Sequence, residues 1–130
     1  MIVLDFRDKR PIYEQVYEKI ERLIVGGALE SETKMPSVRS LAVELSVNPN
    51  TIQRAYVMLE QSGYIYTVSG RGNFVAPEAE WRGGKLEEVM KEYKQMLIRA
   101  KEAGVSKKML LEELELIFRE SEGGAGVKPE

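Results

Sequence analysis

Apolar residues recur at helical spacing in five stretches of the chain, and two short runs rich in β-branched and aromatic residues lie between the third and fourth. Pro11 opens the first stretch, where Ile12, Tyr13, Val16, Tyr17, Ile20, Leu23 and Ile24 form a wide apolar face before Gly26-Gly27 ends it. Val38, Leu41, Ala42 and Leu45 then keep the i, i+3, i+4, i+7 spacing of one buried face, with Ser37 ahead of them as an N-cap. Ser46-Val47 reads as a turn, Val47 plugging the space between two helices. Asn48 followed by Pro49 is a strong start signal, since Asn caps well and Pro at the first helical position loses an N–H that had no partner. Ile52, Ala55, Tyr56 and Leu59 carry that third helix to Gly63. The runs Tyr64 to Val68 and Asn73 to Ala76 predict two strands, joined by the hairpin-loop composition Ser69-Gly70-Arg71-Gly72. Farther on, Leu86, Val89, Met90, Tyr93, Leu97 and Ala100 mark a fourth helix that Gly104 breaks. Ser106 caps a fifth, with Leu110, Leu111, Leu114, Ile117 and Phe118 as its apolar positions. Ile2 to Phe6 reads as a short strand ahead of a solvated turn from Arg7 to Arg10.

A short helix, a tight turn, a second helix with a polar leading edge and a hairpin tipped by glycines together outline a winged helix-turn-helix. The expected fold class is therefore mainly α with a small β-hairpin wing. The expected organisation is a winged helix-turn-helix DNA-binding domain over 1–76, a linker over 77–84 in which Trp81 is the residue that docks, a two-helix dimerisation hairpin over 85–122, and a disordered tail over 123–130. The polar residues of the third helix crowd its first two turns. In a recognition helix that end enters the major groove, where Asn50 and Gln53 can pair with adenine, Arg54 with guanine, and the Thr51 methyl can touch thymine. The bland alternative is that these residues are merely the solvated side of an amphipathic helix. Ser37 can combine capping with a phosphate contact, and Asn48 is counted with the DNA-facing set although the helix start by itself requires a cap there. Gly70 and Gly72 let the wing backbone approach DNA, and Arg71 supplies charge at the tip.

Composition narrows the chemistry. The 130 residues contain neither Cys nor His, which removes thiol nucleophiles, thiolate or imidazole metal ligands and the commonest general base. Glu112, Glu113 and Glu115 read as a solvated charge run, so no catalytic residue, metal site or cofactor is expected. The tyrosines at 13, 17 and 56 read as core residues more simply than as a stacking platform for single strands. No apolar run approaches membrane-spanning length and the start lacks a signal-peptide pattern, so a soluble cytoplasmic protein is expected, with no membrane partner. The net charge of −2 becomes informative when divided. Within residues 34–76 Lys34, Arg39, Arg54 and Arg71 face only Glu44 and Glu60, so positive charge is local to the expected groove-facing surface. Arg7, Lys9 and Arg10 are further candidates for the DNA backbone.

The residues Pro11-Ile12-Tyr13, Gly27-Ala28-Leu29, Met35 to Ala42, Val47 to Tyr56 and Gly70 to Val75 stand in the order and separation that resemble the DNA-binding domain of the GntR superfamily of bacterial transcription regulators. The Asn-Pro-Asn-Thr run is most similar to the short YtrA-type branch. Many GntR proteins carry Arg where this chain has Pro49 and Gln53, so their base contacts are not carried over at those positions. The usual Pro-Gly before the second helix is likewise missing from Glu30-Ser31-Glu32-Thr33. Arg39 lies inside the matched motif, which favours a DNA contact over a salt bridge to Glu32 or Glu44. The resemblance implies a sequence-specific, double-stranded DNA-binding regulator, and a repressor in particular.

Two short helices cannot bury their own apolar faces, and an exposed stripe of Leu, Ile, Met and Phe needs a cover. A homodimer joined through Leu86, Val89, Met90, Tyr93, Leu97, Leu110, Leu114, Ile117 and Phe118 would supply it and would present two recognition helices to a palindromic operator. A small-molecule effector is left open and unidentified. The alternative of another class is a protein-interaction adaptor that uses a winged helix without reading DNA.

Overall fold

The computed structural model describes residues 2–123, so the expected tail beyond Gly123 lies outside the described residues. The chain divides into two units, Met1–Lys85 and Leu86–Glu130. The first holds helices α1 (Ile12–Val25), α2 (Val38–Leu45) and α3 (Pro49–Gln61), strands β1 (Ile65–Val68) and β2 (Gly72–Val75), a 3-10 turn over Glu78–Glu80, and the start of α4 (Arg82–Glu102). The remainder of α4 and α5 (Lys107–Gly123) make up the second.

Helix α3 packs against both α1 and α2, as the coincidence of their apolar faces requires. Val16, Ile20 and Ile24 of α1, Leu41 and Ala42 of α2, and Ile52, Ala55, Tyr56 and Leu59 of α3 form one buried cluster, with Val47 half-buried against it. The turn between α2 and α3 is made by Ser46 in a left-handed conformation (φ 57°, ψ 43°). This lets the Val47 N–H donate back to the Ala42 carbonyl at 3.0 Å. A non-glycine residue is uncommon there, and the packing of Val47 holds it in place.

The strands pair antiparallel, Ile65 opposite Val75 and Val68 opposite Gly72. Each is slightly displaced from the expected run. Tyr64 is drawn into the core, its N–H donating to the Leu59 carbonyl at the end of α3, and Gly72 joins the ladder. The sheet edge at β2 is covered by a segment that carries no alternating pattern. Glu32 N–H donates to Val75 O, Val75 N–H to Thr33 O and Met35 N–H to Asn73 O, each at 2.8 Å. Residues 32–35 thus cap that edge without becoming a strand, Lys34 forming an isolated antiparallel bridge to Phe74. The hydrogen bond from the Tyr66 hydroxyl to Glu32 fastens the same segment and holds the phenol's pKa above its ordinary value.

The expected strand at Ile2 to Phe6 does not form. The amide of Gln15, 1% exposed, takes up the backbone of this segment instead, accepting from the Asp5 N–H and donating to the Asp5 carbonyl, both at 2.9 Å. The residues expected to be linker, 77–84, are also ordered elements. Trp81 is buried in the core beside Tyr64, with ring centroids 5.4 Å apart, and α4 begins at the next residue, taking in Gly83 and Gly84. Glu21 ties this start to α1, accepting from Tyr64 Oη at 2.7 Å and pairing with Lys85 Nζ at 3.3 Å.

In the second unit Ser106 caps α5, its hydroxyl accepting from the Met109 N–H at 3.1 Å. The two helices are 21 and 17 residues long. They enclose an open cleft of about 520 Å³ between Tyr93, Leu97 and Lys101 on one side and Leu110, Leu111 and Leu114 on the other.

Candidate nucleic-acid interface

The buried face of α3 determines what its other face can present. With Ile52, Ala55, Tyr56 and Leu59 turned into the core, Asn50, Gln53, Arg54 and Val57 are exposed and Thr51 is half-buried. Residues 50, 54 and 57 follow i, i+4, i+7 spacing, so they form one outward stripe. Asn48 shapes its leading end: the side-chain oxygen accepts from the Asn50 N–H at 2.8 Å, satisfying one of the orphan donors of the first turn. The five polar residues from Asn48 to Arg54 thus lie together on the first two turns, and both Gln53 and Arg54 point out of the core.

Ser37 and Arg39 stand at the start of α2. Ser37 Oγ accepts from the Ser40 N–H at 3.0 Å, so its role as a cap is occupied, while Arg39 is exposed on the first turn of α2. The approach to α2 is tied to the third turn of α3 through Tyr56, whose hydroxyl donates to the Pro36 carbonyl at 2.7 Å. Burial pushes that phenol's pKa from 10.0 up to about 12.

At the wing tip the Arg71 N–H donates to the Val68 carbonyl at 2.9 Å, and the turn needs φ of +76° at Gly70 and +113° at Gly72, values that side-chain-bearing residues rarely adopt. A Cβ on Gly72 would lie 3.3 Å from Cε of Lys34. The Lys34 side chain therefore lies against the wing backbone at Gly72. Its place follows from the bridge between Lys34 and Phe74.

Among the described residues no carboxylate lies within ion-pair distance of Lys34, Arg39, Arg54 or Arg71. The pairing of Arg39 with Glu32 or Glu44, weighed from the sequence, is not formed. The N-terminal arginines differ. Arg10 is bonded to both Asp8 and Glu18, which holds its guanidinium charged far above its ordinary range and the Asp8 carboxyl below its own. Arg10 is thus committed to its neighbours, whereas Arg7 sits 3.7 Å from Asp5 and is almost fully exposed. One contact had no counterpart in the sequence reading: the Arg54 guanidinium lies over the Tyr13 ring, 3.9 Å from its centroid. A spacing rule cannot find two residues on different helices. Among the described residues no cluster of three metal-ligating side chains forms.

The residues expected at a dimer interface lie in the second unit. Leu86, Val89, Met90, Tyr93, Leu114, Ile117 and Phe118 are exposed there and Leu97 and Leu110 half-buried.

The family model described as "Bacterial regulatory proteins, gntR family" matches residues 12–75. The HTH-type transcriptional repressor YtrA of Bacillus subtilis (strain 168) is 37% identical over 126 residues, spanning 95% of this chain and 97% of that protein. A GntR family transcriptional regulator from Listeria monocytogenes has a similar solved structure (TM-score 0.73, 33% identity, 85% of this chain and 97% of that one). The DNA-binding domain of AraR in complex with operator ORR3 is similar over 57% of this chain and 89% of that one, with TM-score 0.51 and 34% identity.

Proposed function

The chain belongs to the GntR family and is a DNA-binding transcription regulator, not an enzyme; on that premise we propose that it is a repressor which binds a palindromic operator as a homodimer. The observation that carries the reading is the division of α3, with its apolar side sealed in the core and Asn50, Gln53 and Arg54 left exposed on a rigid, capped rod. Asn and Gln amides match the N6/N7 edge of adenine, and an Arg fork matches O6/N7 of guanine. Ser37 and Arg39 contact phosphate on one side of the groove and the Gly70-Arg71-Gly72 tip on the other, which sets the register of the rod. A DNA complex is supported by the similar AraR DNA-binding domain, whose solved structure is in complex with an operator.

The homodimer rests on the second unit. Side chains such as Leu86, Ile117 and Phe118, each more than half exposed, carry too much apolar surface to leave in water, and a second copy covers it with the same residues. A dimer also doubles the phosphate contacts of a module that makes few. Any effector would bind in the cleft between α4 and α5 or where two copies meet, and the protein acts in the cytoplasm, where operator DNA is found.

Two measurements test this. A duplex is selected from a random pool by the wild-type protein and titrated at stated salt beside its scrambled counterpart. Gln53→Ala is expected to lose about 1–3 kcal/mol on the selected duplex and little on the scrambled one. Failure of the wild type to prefer any duplex would overturn sequence-specific reading. Sedimentation at micromolar concentration is expected to give a dimer, and a stable monomer with 85–121 intact would remove the homodimer.

A further inference from the structure

The contact between Tyr13 and Arg54 joins the first turn of α1 to the second turn of α3. Tyr13 is half-buried and packed against the core, so its ring is a fixed surface. Its hydroxyl makes only a long contact to Glu14 Oε1, 3.4 Å, so the ring face, not the hydroxyl, is the part engaged. Arg54 is exposed, and among the described residues no carboxylate holds its guanidinium. Stacking occupies one face of a planar guanidinium and leaves the N–H donors around its edge free. An unrestrained Arg would have to give up many rotamers to reach an acceptor on DNA; one already laid on a ring has given up most of them.

We infer that Tyr13 is a positioning residue for DNA recognition, its ring holding the Arg54 guanidinium edge-outward in the orientation that meets acceptors on the duplex. This rests on the reading of Arg54 as a DNA contact. It assigns to α1, otherwise a packing helix, a share in recognition, and it makes the aromatic character of residue 13 the property that matters.

The test is a double-mutant cycle on the full chain, titrated against the duplex selected by the wild type and against its scrambled counterpart. Arg54→Ala is expected to weaken binding at least fivefold. Tyr13→Leu, which keeps an apolar plug without a ring, is expected to weaken it roughly two- to tenfold, the effect of restoring rotamer freedom to one long side chain. Tyr13→Phe should stay within about twofold of wild type, and in the Arg54→Ala background Tyr13→Leu should cost nothing further. In the free protein, the Arg54 side-chain N–H resonance should carry a ring-current shift that Tyr13→Phe retains and Tyr13→Leu abolishes. This readout holds even if Tyr13→Leu lowers the melting temperature. If Arg54→Ala weakens binding but Tyr13→Leu has no effect, or has the same effect with and without Arg54, the positioning role is wrong and the DNA contact stands. If Arg54→Ala binds like wild type, the DNA contact itself fails and the inference with it.

Discussion

Replacing Asn48 separates two roles that one residue can play at the start of α3. Its Oδ1 accepts from the Asn50 N–H at 2.8 Å, and its backbone carbonyl accepts from Thr51 at 2.9 Å. Asn48→Ala leaves the second bond and deletes the first, so the cost is that of a lost cap, about 1 kcal/mol. For a unit the size of Met1–Lys85 that lowers the melting temperature by roughly 4–8 °C. The first turn also frays, and Asn50 and Thr51 are on it, so affinity for the selected duplex should fall about fivefold in parallel. Ser at 48 restores an acceptor at the same place, so Asn48→Ser should melt and bind like wild type. Asp caps equally well and its charge suits the positive helix end, but it opposes phosphate. Asn48→Asp should therefore melt no lower than wild type while binding more weakly, increasingly so at low salt. Thermal melts followed by circular dichroism and fluorescence-anisotropy titrations decide the matter. An unchanged melting temperature in Asn48→Ala would refute the cap. A variant Asn48→Ser that melts normally yet binds as poorly as Asn48→Ala would show that the amide touches DNA and that capping is not its main contribution.

Three further outcomes follow from the geometry. Gly63 adopts φ +82°, and a Cβ there would lie 2.8 Å from the Glu80 carbonyl oxygen, so Gly63→Ala should cost roughly 2 kcal/mol or more in denaturant unfolding; a loss below about 0.5 kcal/mol would mean the turn is easily remodelled. Arg71→Ala should weaken binding similarly on selected and scrambled duplexes and reduce the slope of log K against log salt by about 0.9, whereas a loss confined to the selected duplex would make Arg71 a base reader. Tyr56 stays protonated in the fold up to about pH 12 but ionises near 10.0 when unfolded, so its contribution is intact below pH 10 and lost as pH climbs through 12. The wild type should lose roughly 1–2 kcal/mol over that interval, the structure relaxing in part around the phenolate, and Tyr56→Phe should lack that loss while being about 1 kcal/mol less stable at neutral pH; parallel curves would contradict the assignment.

Much of the fold was legible along the chain because its determinants are local. Helical spacing located all three helices of the winged unit, since burial of Ile52, Ala55, Tyr56 and Leu59 follows from their period. Ser37, Asn48 and Ser106 were found as caps because a cap bonds to a backbone group two or three residues away. The same period says which residues of α3 cannot be buried, and hence which are free for recognition. What spacing could not supply was the fate of long polar side chains and of segments whose partners are far off. Residues 32–35 have no alternation, and only the edge of β2 draws their backbone into hydrogen bonds. Residues 77–84 have a linker's composition, yet a single indole seated against Tyr64 turns them into the entrance of a helix. Arg10 and Arg54 look alike in sequence, but Asp8 and Glu18 occupy Arg10 while Arg54 lies over the Tyr13 ring. Local rules act through bonded neighbours and repeat periods; those last outcomes depend on which distant surface happens to lie within reach, and only the folded chain decides that.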